Sequence, residues 1–352
     1  MKTVRDFNFN NKRVLVRCDF NVPLSLAGDI LDDFKIKQSL PTIEYLMSKK
    51  AGVILMSHLG DPKGEAVERL SLNKVTKHLT DLLRGKVVLV RDYKEKEVAV
   101  RAGEIVLLEN LRFYPEEEKG DVEFVKKLAG LADIYLNDAF AVSHRPHASL
   151  IVPKFLPSGA GLLLEKEIKV MSGIRDNPKK PLVVVIAGNT KGIETKAKFI
   201  EKMTEKPQTI VLLGNLVADE LNRQRSYLCH FGKWRRAGLR RNLILPVDSL
   251  EGLDIGPNTV KLFEEEIGRA KTVFWSGPLG KIEEQKFTTG SLKIAKAVIK
   301  SKAFAVAGGG ETGWFLRQHR LANKFNYIST GGDAMLMFLS GESLPGIEVL
   351  KT

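Results

Sequence analysis

The chain has 352 residues, 43% of them hydrophobic and 28% charged, with a formal net charge of +13. These values exclude an intrinsically disordered chain, and no apolar run reaches the length of a membrane span, so no membrane partner is expected. Two cysteines, Cys18 and Cys229, are too few for a disulfide framework or a zinc cluster.

The opening "MKTVRDFNFNNKRVLVRCDF" has no signal-peptide core and runs straight into a strand, so a cytoplasmic protein is expected. "RVLVRCDF" reads as a strand and "IKQSLPTIEYLMSK" as the helix after it. "GVILMSHLG" is strand and turn, and "LNKVTKHLTDLL" is helix. "KVVLV", "EIVLLENL" and "ADIYLNDAF" are further strands, the last two separated by the helical "VEFVKKLAGL". After "GAGLLLEKEIKVMSGI", a predicted helix, the alternation resumes with "PLVVVIAG", "TIVLLGN", "NLILPVD", "TVFWSG", "AFAVAGGG" and "NYISTGGD" as strands. Such alternation predicts an α/β fold of two Rossmann-like parallel-sheet domains joined by a helix. The expected boundaries are 1–158, a linking helix at 159–174, a second domain at 175–340 and a tail at 341–352.

Open parallel sheets bind ligands at the carboxyl ends of their strands. In the first half those ends carry Arg17, Asp19 and Asn21, then His58, Arg112, and the group His144, Arg145 and His147 in "NDAFAVSHRPHAS". Cationic and donor groups at several strand ends predict a cup for a small carboxylate or phosphate. In the second half the strand ends are glycine-rich. Gly308, Gly309 and Gly310 lead into a helix, Gly331 and Gly332 repeat the arrangement, and Gly188 precedes Lys191 and Lys196. Backbone N–H groups at such turns suit phosphate oxygens, and three of them suggest a nucleotide. "GGGETG" also satisfies a dinucleotide fingerprint, with Asp333 twenty residues beyond Gly313, but its place near the C-terminus sets that reading aside. An anion cup and a phosphate cradle in separate domains suit phosphoryl transfer by positioning and charge neutralisation.

"VRCDFNVPL", "SHLGDPKG", "LLENLRFY", "NDAFAVSHRPHAS", "LDIGP", "WSGPLG", "GGGET" and "STGGDA", in this order, closely resemble the phosphoglycerate kinase family from about residue 4 to about residue 347. The resemblance implies reversible phosphoryl transfer between 1,3-bisphosphoglycerate and ADP, giving 3-phosphoglycerate and ATP, with Mg²⁺ bound to the nucleotide. It also implies a monomer closing about a hinge, with the tail returning to the first domain. On the triose-phosphate side it implies Arg17, Asp19, Phe20, Asn21, His58, Leu59, Gly60, Asp61, Arg112, His144 and Arg145. On the nucleotide side it implies Gly188, Lys191, Lys196, Gly214, Pro278, Glu283, Gly309, Gly310, Glu311 and Thr312, with Glu311 also toward the metal. Lys35, Lys196, Gly331 and Gly332 are the implied catalytic positions.

Several of these positions depart from the family pattern. Lys35 stands for an arginine, which keeps the charge and loses the planar fork. Asp61 also stands for an arginine. At about 6 Å and an effective dielectric near 20, each unit of that charge swing is worth roughly 3 kcal/mol before screening. Asp61 is therefore expected to be tolerated only if its side chain points away from the cup. Glu311 replaces an aspartate, Ser276 an asparagine, Lys281 an apolar residue and Asp333 a glycine. "AGNTKGIETK" carries an extra residue between its lysines. The region 222–253 is shortened, and its "RQRSYLCHFGKWRRAGLRR" holds seven Arg or Lys with no acid. That stretch reads as a solvated, partly helical face, and nucleic acid is not expected as a partner, though basic and aromatic residues so mixed can bind it. Three readings follow: an active kinase, a degenerate homologue that binds nucleotide or triose phosphate without efficient turnover, and an interaction protein using 223–241.

Overall fold

A computed structural model describes residues 1–93, 98–223 and 242–351. The basic stretch, apart from Arg223, and Cys229 lie outside the described residues. The chain divides into two units, Met1–Lys169 with Ser343–Thr352, and Val170–Glu342.

The first unit holds a six-stranded sheet of β1 (Arg13–Arg17), β2 (Gly52–Met56), β3 (Val87–Val90), β4 (Ile105–Leu108), β5 (Ile134–Asn137) and β6 (Ser158–Ala160). The strand order is β3-β4-β2-β1-β5-β6, and every pairing is parallel. Every residue of β2, β4 and β5 is buried, as expected of strands covered by helices on both faces, whereas the edge strand β3 is partly exposed. The helix Asn73–Leu83 shows how the cover forms: Val75, Thr76 and Leu79 recur on one face and are buried. The chain runs from β1 to β2 on one side and reaches β5 on the other, so the crevice of this sheet opens at β1 and β5.

The predicted helix from 159 is corrected at its start: Ser158–Ala160 is the sheet's last strand, and the helix is Leu162–Asp176. Gly159 makes the strand possible, since a Cβ there would stand 2.8 Å from the Phe7 ring and 3.0 Å from the Lys2 carbonyl oxygen. The helix then begins on the buried Asp138, whose Oδ1 accepts from the Leu163 and Leu164 amides at 2.9 and 3.2 Å. The division between units falls inside this helix, at Lys169 and Val170.

The second unit repeats the plan. Its sheet contains β7 (Leu182–Ile186), β8 (Thr209–Leu213), β9 (Leu243–Ile244), β12 (Thr272–Ser276), β13 (Phe304–Gly308) and β14 (Tyr327–Ile328), in the order β14-β13-β12-β7-β8-β9. All pairings are again parallel, and β7 and β12 are buried throughout. The strands expected at "NLILPVD" and "NYISTGGD" reduce to two residues each at the sheet edges. A short antiparallel pair, β10 (Ser249–Leu250) with β11 (Asp254–Ile255), stands apart. Here the crevice opens between β7 and β12.

Candidate active site

In the first unit the strand ends bring most of the predicted triose-phosphate residues together. His58 follows β2, is almost wholly buried and lies with Nδ1 3.3 Å from an Arg17 terminal nitrogen. Burial, then the Arg17, Arg112, Lys35 and Arg145 charges, push its pKa well down, so the ring is neutral near pH 7. Burial and the same arginines bring His147 to about 3. The cup is therefore cationic through arginine and lysine, with neutral imidazoles among them.

Arg112 sits in the tight turn Leu111–Phe113 after β4 and donates to the Gly60 carbonyl at 2.8 Å. Its Nε lies 3.3 Å from Glu118 Oε1 but is too poorly aligned to count as a hydrogen bond. Asp61 does not point away: its largely exposed carboxylate lies 3.9 Å from an Arg112 terminal nitrogen. The attraction of the Arg112 guanidinium, already bonded through that nitrogen to Gly60, draws the carboxylate toward the cup. Lys35 donates to Asp19 at 2.7 Å. Asn21 Oδ1 accepts from the Gly60 amide at 2.9 Å, joining the turn after β1 to the turn after β2. Gly60 has φ +65°, and a Cβ would meet Leu70 at 2.7 Å. Phe20 and Leu59 are core residues whose amides bond to Ser57 Oγ and Asn110 Oδ1. Arg145 is half-buried and its Nε donates to His144 Nε2 at 3.3 Å.

Arg17 differs from the other expected ligand groups. Its side chain is 1% exposed; it donates to Ser149 Oγ and the Cys18 carbonyl, meets His58 Nδ1 at 3.3 Å, and has the buried Glu117 carboxylate as a charge partner at 3.9 Å. Glu117 and Ser149 escape sequence reasoning, because an acid within "PEEEK" and a serine after a histidine look like solvated helix residues. Burial raises the Glu117 pKa, with Arg17 and Ser149 opposing it.

In the second unit the cradle forms where β7 and β12 end. Gly188 and Gly277 both have positive φ, and a Cβ on Gly188 would stand 3.1 Å from Gly277 Cα. The Gly188 amide donates to the Pro278 carbonyl at 2.8 Å, and Gly277 donates to Thr312 Oγ1 at 2.7 Å. Gly309 at φ +89° donates to the Gly331 carbonyl at 2.7 Å and opens the helix Gly310–Gln318. Gly332 opens the helix Asp333–Leu339. Gly214 packs at the end of β8, where a Cβ would meet that of Ala187 at 2.5 Å.

Lys196 lies on the buried face of the helix Ile193–Glu205, and its ammonium donates to the Ala187 and Asn189 carbonyls. Burial lowers its pKa, opposed by Glu311 and Asp333. Glu311 is exposed, with Oε1 accepting from Asn189 Nδ2 at 2.7 Å. Asp333 faces Gly192, where a Cβ would stand 3.1 Å from its Oδ1. Lys191 and Glu283 are exposed. No cluster of three His, Cys, Asp or Glu side chains able to hold a metal occurs among the described residues. A magnesium ion needs only one or two protein carboxylates beside nucleotide phosphates, and Glu311 at the phosphate turn fits that requirement.

A cationic cup on one parallel sheet and a glycine-rich phosphate cradle on another define an α/β phosphotransferase. The phosphoglycerate kinase family profile matches residues 4–225 and 238–342. A phosphoglycerate kinase from Coprothermobacter proteolyticus is 38% identical over 389 residues, covering 99% of this chain and 98% of that one. One from Borreliella burgdorferi is 38% identical over 395 residues, covering 100% and 99%. The structure of phosphoglycerate kinase from Coxiella burnetii matches with a TM-score of 0.82 at 32% identity, covering 99% of this chain and 98% of that chain. That from Pyrococcus horikoshii matches at 0.85 and 28%, covering 100% and 98%. The chain belongs to the phosphoglycerate kinase family, ATP-dependent kinases that transfer phosphate to the carboxyl group of 3-phosphoglycerate.

Proposed function

We propose that this chain is a working phosphoglycerate kinase whose departures from the family pattern leave it active. The observation that carries the reading is the cationic group of Arg112 and Arg145 in the loops after β4 and β5 and Lys35 in the first turn of the helix Phe34–Ser48, all of whose charges act on neutral His58 at the end of β2. Arg145 and Arg112 bind the triose phosphate and carboxylate as cations, and the Asn21–Gly60 hydrogen bond holds the turn that shapes the floor. Lys35, oriented by Asp19, places one ammonium toward the transferring phosphoryl group.

On the nucleotide side, Gly188 and Gly309, whose own amides bond to Pro278 and Gly331, shape turns without side chains, and the N-terminal amides of the helix from Gly310 receive phosphate oxygens, with Lys196 and Lys191 as cations and Glu283 toward the ribose. Glu311 would hold Mg²⁺ with the nucleotide, and the ion would there neutralise phosphate charge. No base is required of the protein, because the acceptor carboxylate is already ionised at neutral pH.

The test is ADP release from Mg-ATP, with and without 3-phosphoglycerate, while the acyl-phosphate product is removed. Turnover that needs 3-phosphoglycerate and collapses in Arg145→Ala is expected. A folded wild-type protein without turnover would sink the reading and favour a binder that does no chemistry.

A further inference from the structure

Arg17 and Glu117 form an ion pair that the fold closes off from ligands, with both side chains no more than 1% exposed and the charged atoms 3.9 Å apart. Ser149 joins them. Its hydroxyl accepts from Arg17 Nε at 2.9 Å and donates to Glu117 Oε1, while its amide donates to Glu117 Oε2 at 2.9 Å. The same carboxylate has His147 Nδ1 at 3.9 Å, and Arg17 in turn holds His58. One buried acid thus ties together the end of β1, the end of β2 and the loop that carries Arg145.

Burying an ion pair rarely stabilises a fold more than apolar packing of the same volume would. Holding cationic groups in fixed positions before a ligand arrives is a different task, for which such a pair is well suited. We propose that Glu117, acting through Ser149 and Arg17, is the positioning residue of the triose-phosphate cup. On this assignment Arg17 aligns His58 and the 144–147 loop and does not itself grip the substrate. The inference rests on the kinase reading given above.

The experiment compares wild type, Glu117→Gln, Ser149→Ala and the double variant. It measures KM and kcat for 3-phosphoglycerate and for Mg-ATP, together with the melting temperature of each protein. A positioning role raises the KM for 3-phosphoglycerate on the order of tenfold in each single variant and leaves that for Mg-ATP within about twofold. The double variant is then no worse than the weaker single, because the two residues act as one unit. If Glu117→Gln yields no folded protein, Ser149→Ala decides, since it keeps the backbone bond and deletes only the hydroxyl. Lower melting temperatures with an unchanged KM for 3-phosphoglycerate, or an equal rise for both substrates, would overturn the assignment. Absence of 3-phosphoglycerate-dependent turnover in the wild type would instead defeat the kinase reading beneath it.

Discussion

Lys35 Nζ lies 2.7 Å from Asp19 Oδ2, the carboxylate buried and the lysine partly open to solvent. This contact turns a flexible ammonium into a directed one. Arginine at the same place would keep the bond and present a second N–H edge. Lys35→Arg is therefore expected to hold or raise kcat, whereas Lys35→Met should lower it by about 100-fold. Steady-state rates at saturating substrates check both.

Asp61 sets a negative charge 3.9 Å from Arg112, one of the two arginines proposed to bind the substrate anion. Its exposure limits the effect. Asp61→Asn should lower the KM for 3-phosphoglycerate by about threefold, within the range of exposed ion pairs. The gain should fade in about 0.5 M salt, where screening is short-ranged. A salt titration of KM in both proteins tests this.

Asp138 is buried, and burial raises its pKa to about 7, partly relieved by Thr42 and the Leu164 and Leu163 amides. Because the folded value lies above the unfolded one, the group binds its proton more tightly when folded. Its stabilising contribution is complete below the unfolded pKa, near 4, and is lost as pH rises toward 7. The loss is roughly 4 kcal/mol at most. Asp138→Asn cannot titrate, so its stability relative to wild type should climb across that window. Denaturant melts at pH 4.5 and 7.5 would show it, and a constant difference would refute it.

Glu311 and Asp333 both face Lys196 with negative charge, and Glu311, bonded to Asn189, is the carboxylate proposed above for the metal. Glu311→Ala is expected to raise the Mg²⁺ concentration for half-maximal rate by about tenfold, as loss of a carboxylate ligand should. Asp333→Gly should instead lower the KM for Mg-ATP a few-fold with an unchanged Mg²⁺ requirement. Metal titrations at fixed ATP separate the two.

Much of the fold was legible because buried parallel strands are continuous apolar runs, as in "GVILM" and "LVVVI". The polar residues after those runs then pointed to the cup and the cradle. Arg17 marks where such reading stops. Its partners Ser149 and Glu117 come from distant parts of the chain, and nothing local distinguishes an arginine that grips a ligand from one held by a buried acid. Asp61 shows the same limit, since its direction was decided by Arg112 rather than by its neighbours in sequence. The strand at Ser158–Ala160 was hidden because glycine and alanine carry no strand pattern; the Lys2 carbonyl and Tyr135 supply its partners.

The last residues of the chain belong to the first unit. Asn137 Nδ2 donates to the Gly346 carbonyl at 2.8 Å, and the Gly346 amide donates to the Ser143 carbonyl at 2.8 Å. A Cβ on Gly346 would stand 3.1 Å from Ser143 Cα, so the fit leaves little room. The segment around Gly346 thus buttresses the turn before Arg145 although the whole second unit separates the two in sequence. Without residues 343–352 both six-stranded sheets would keep all their strands, while Asn137 and Ser143 would lose the Gly346 contacts that brace the turn before Arg145.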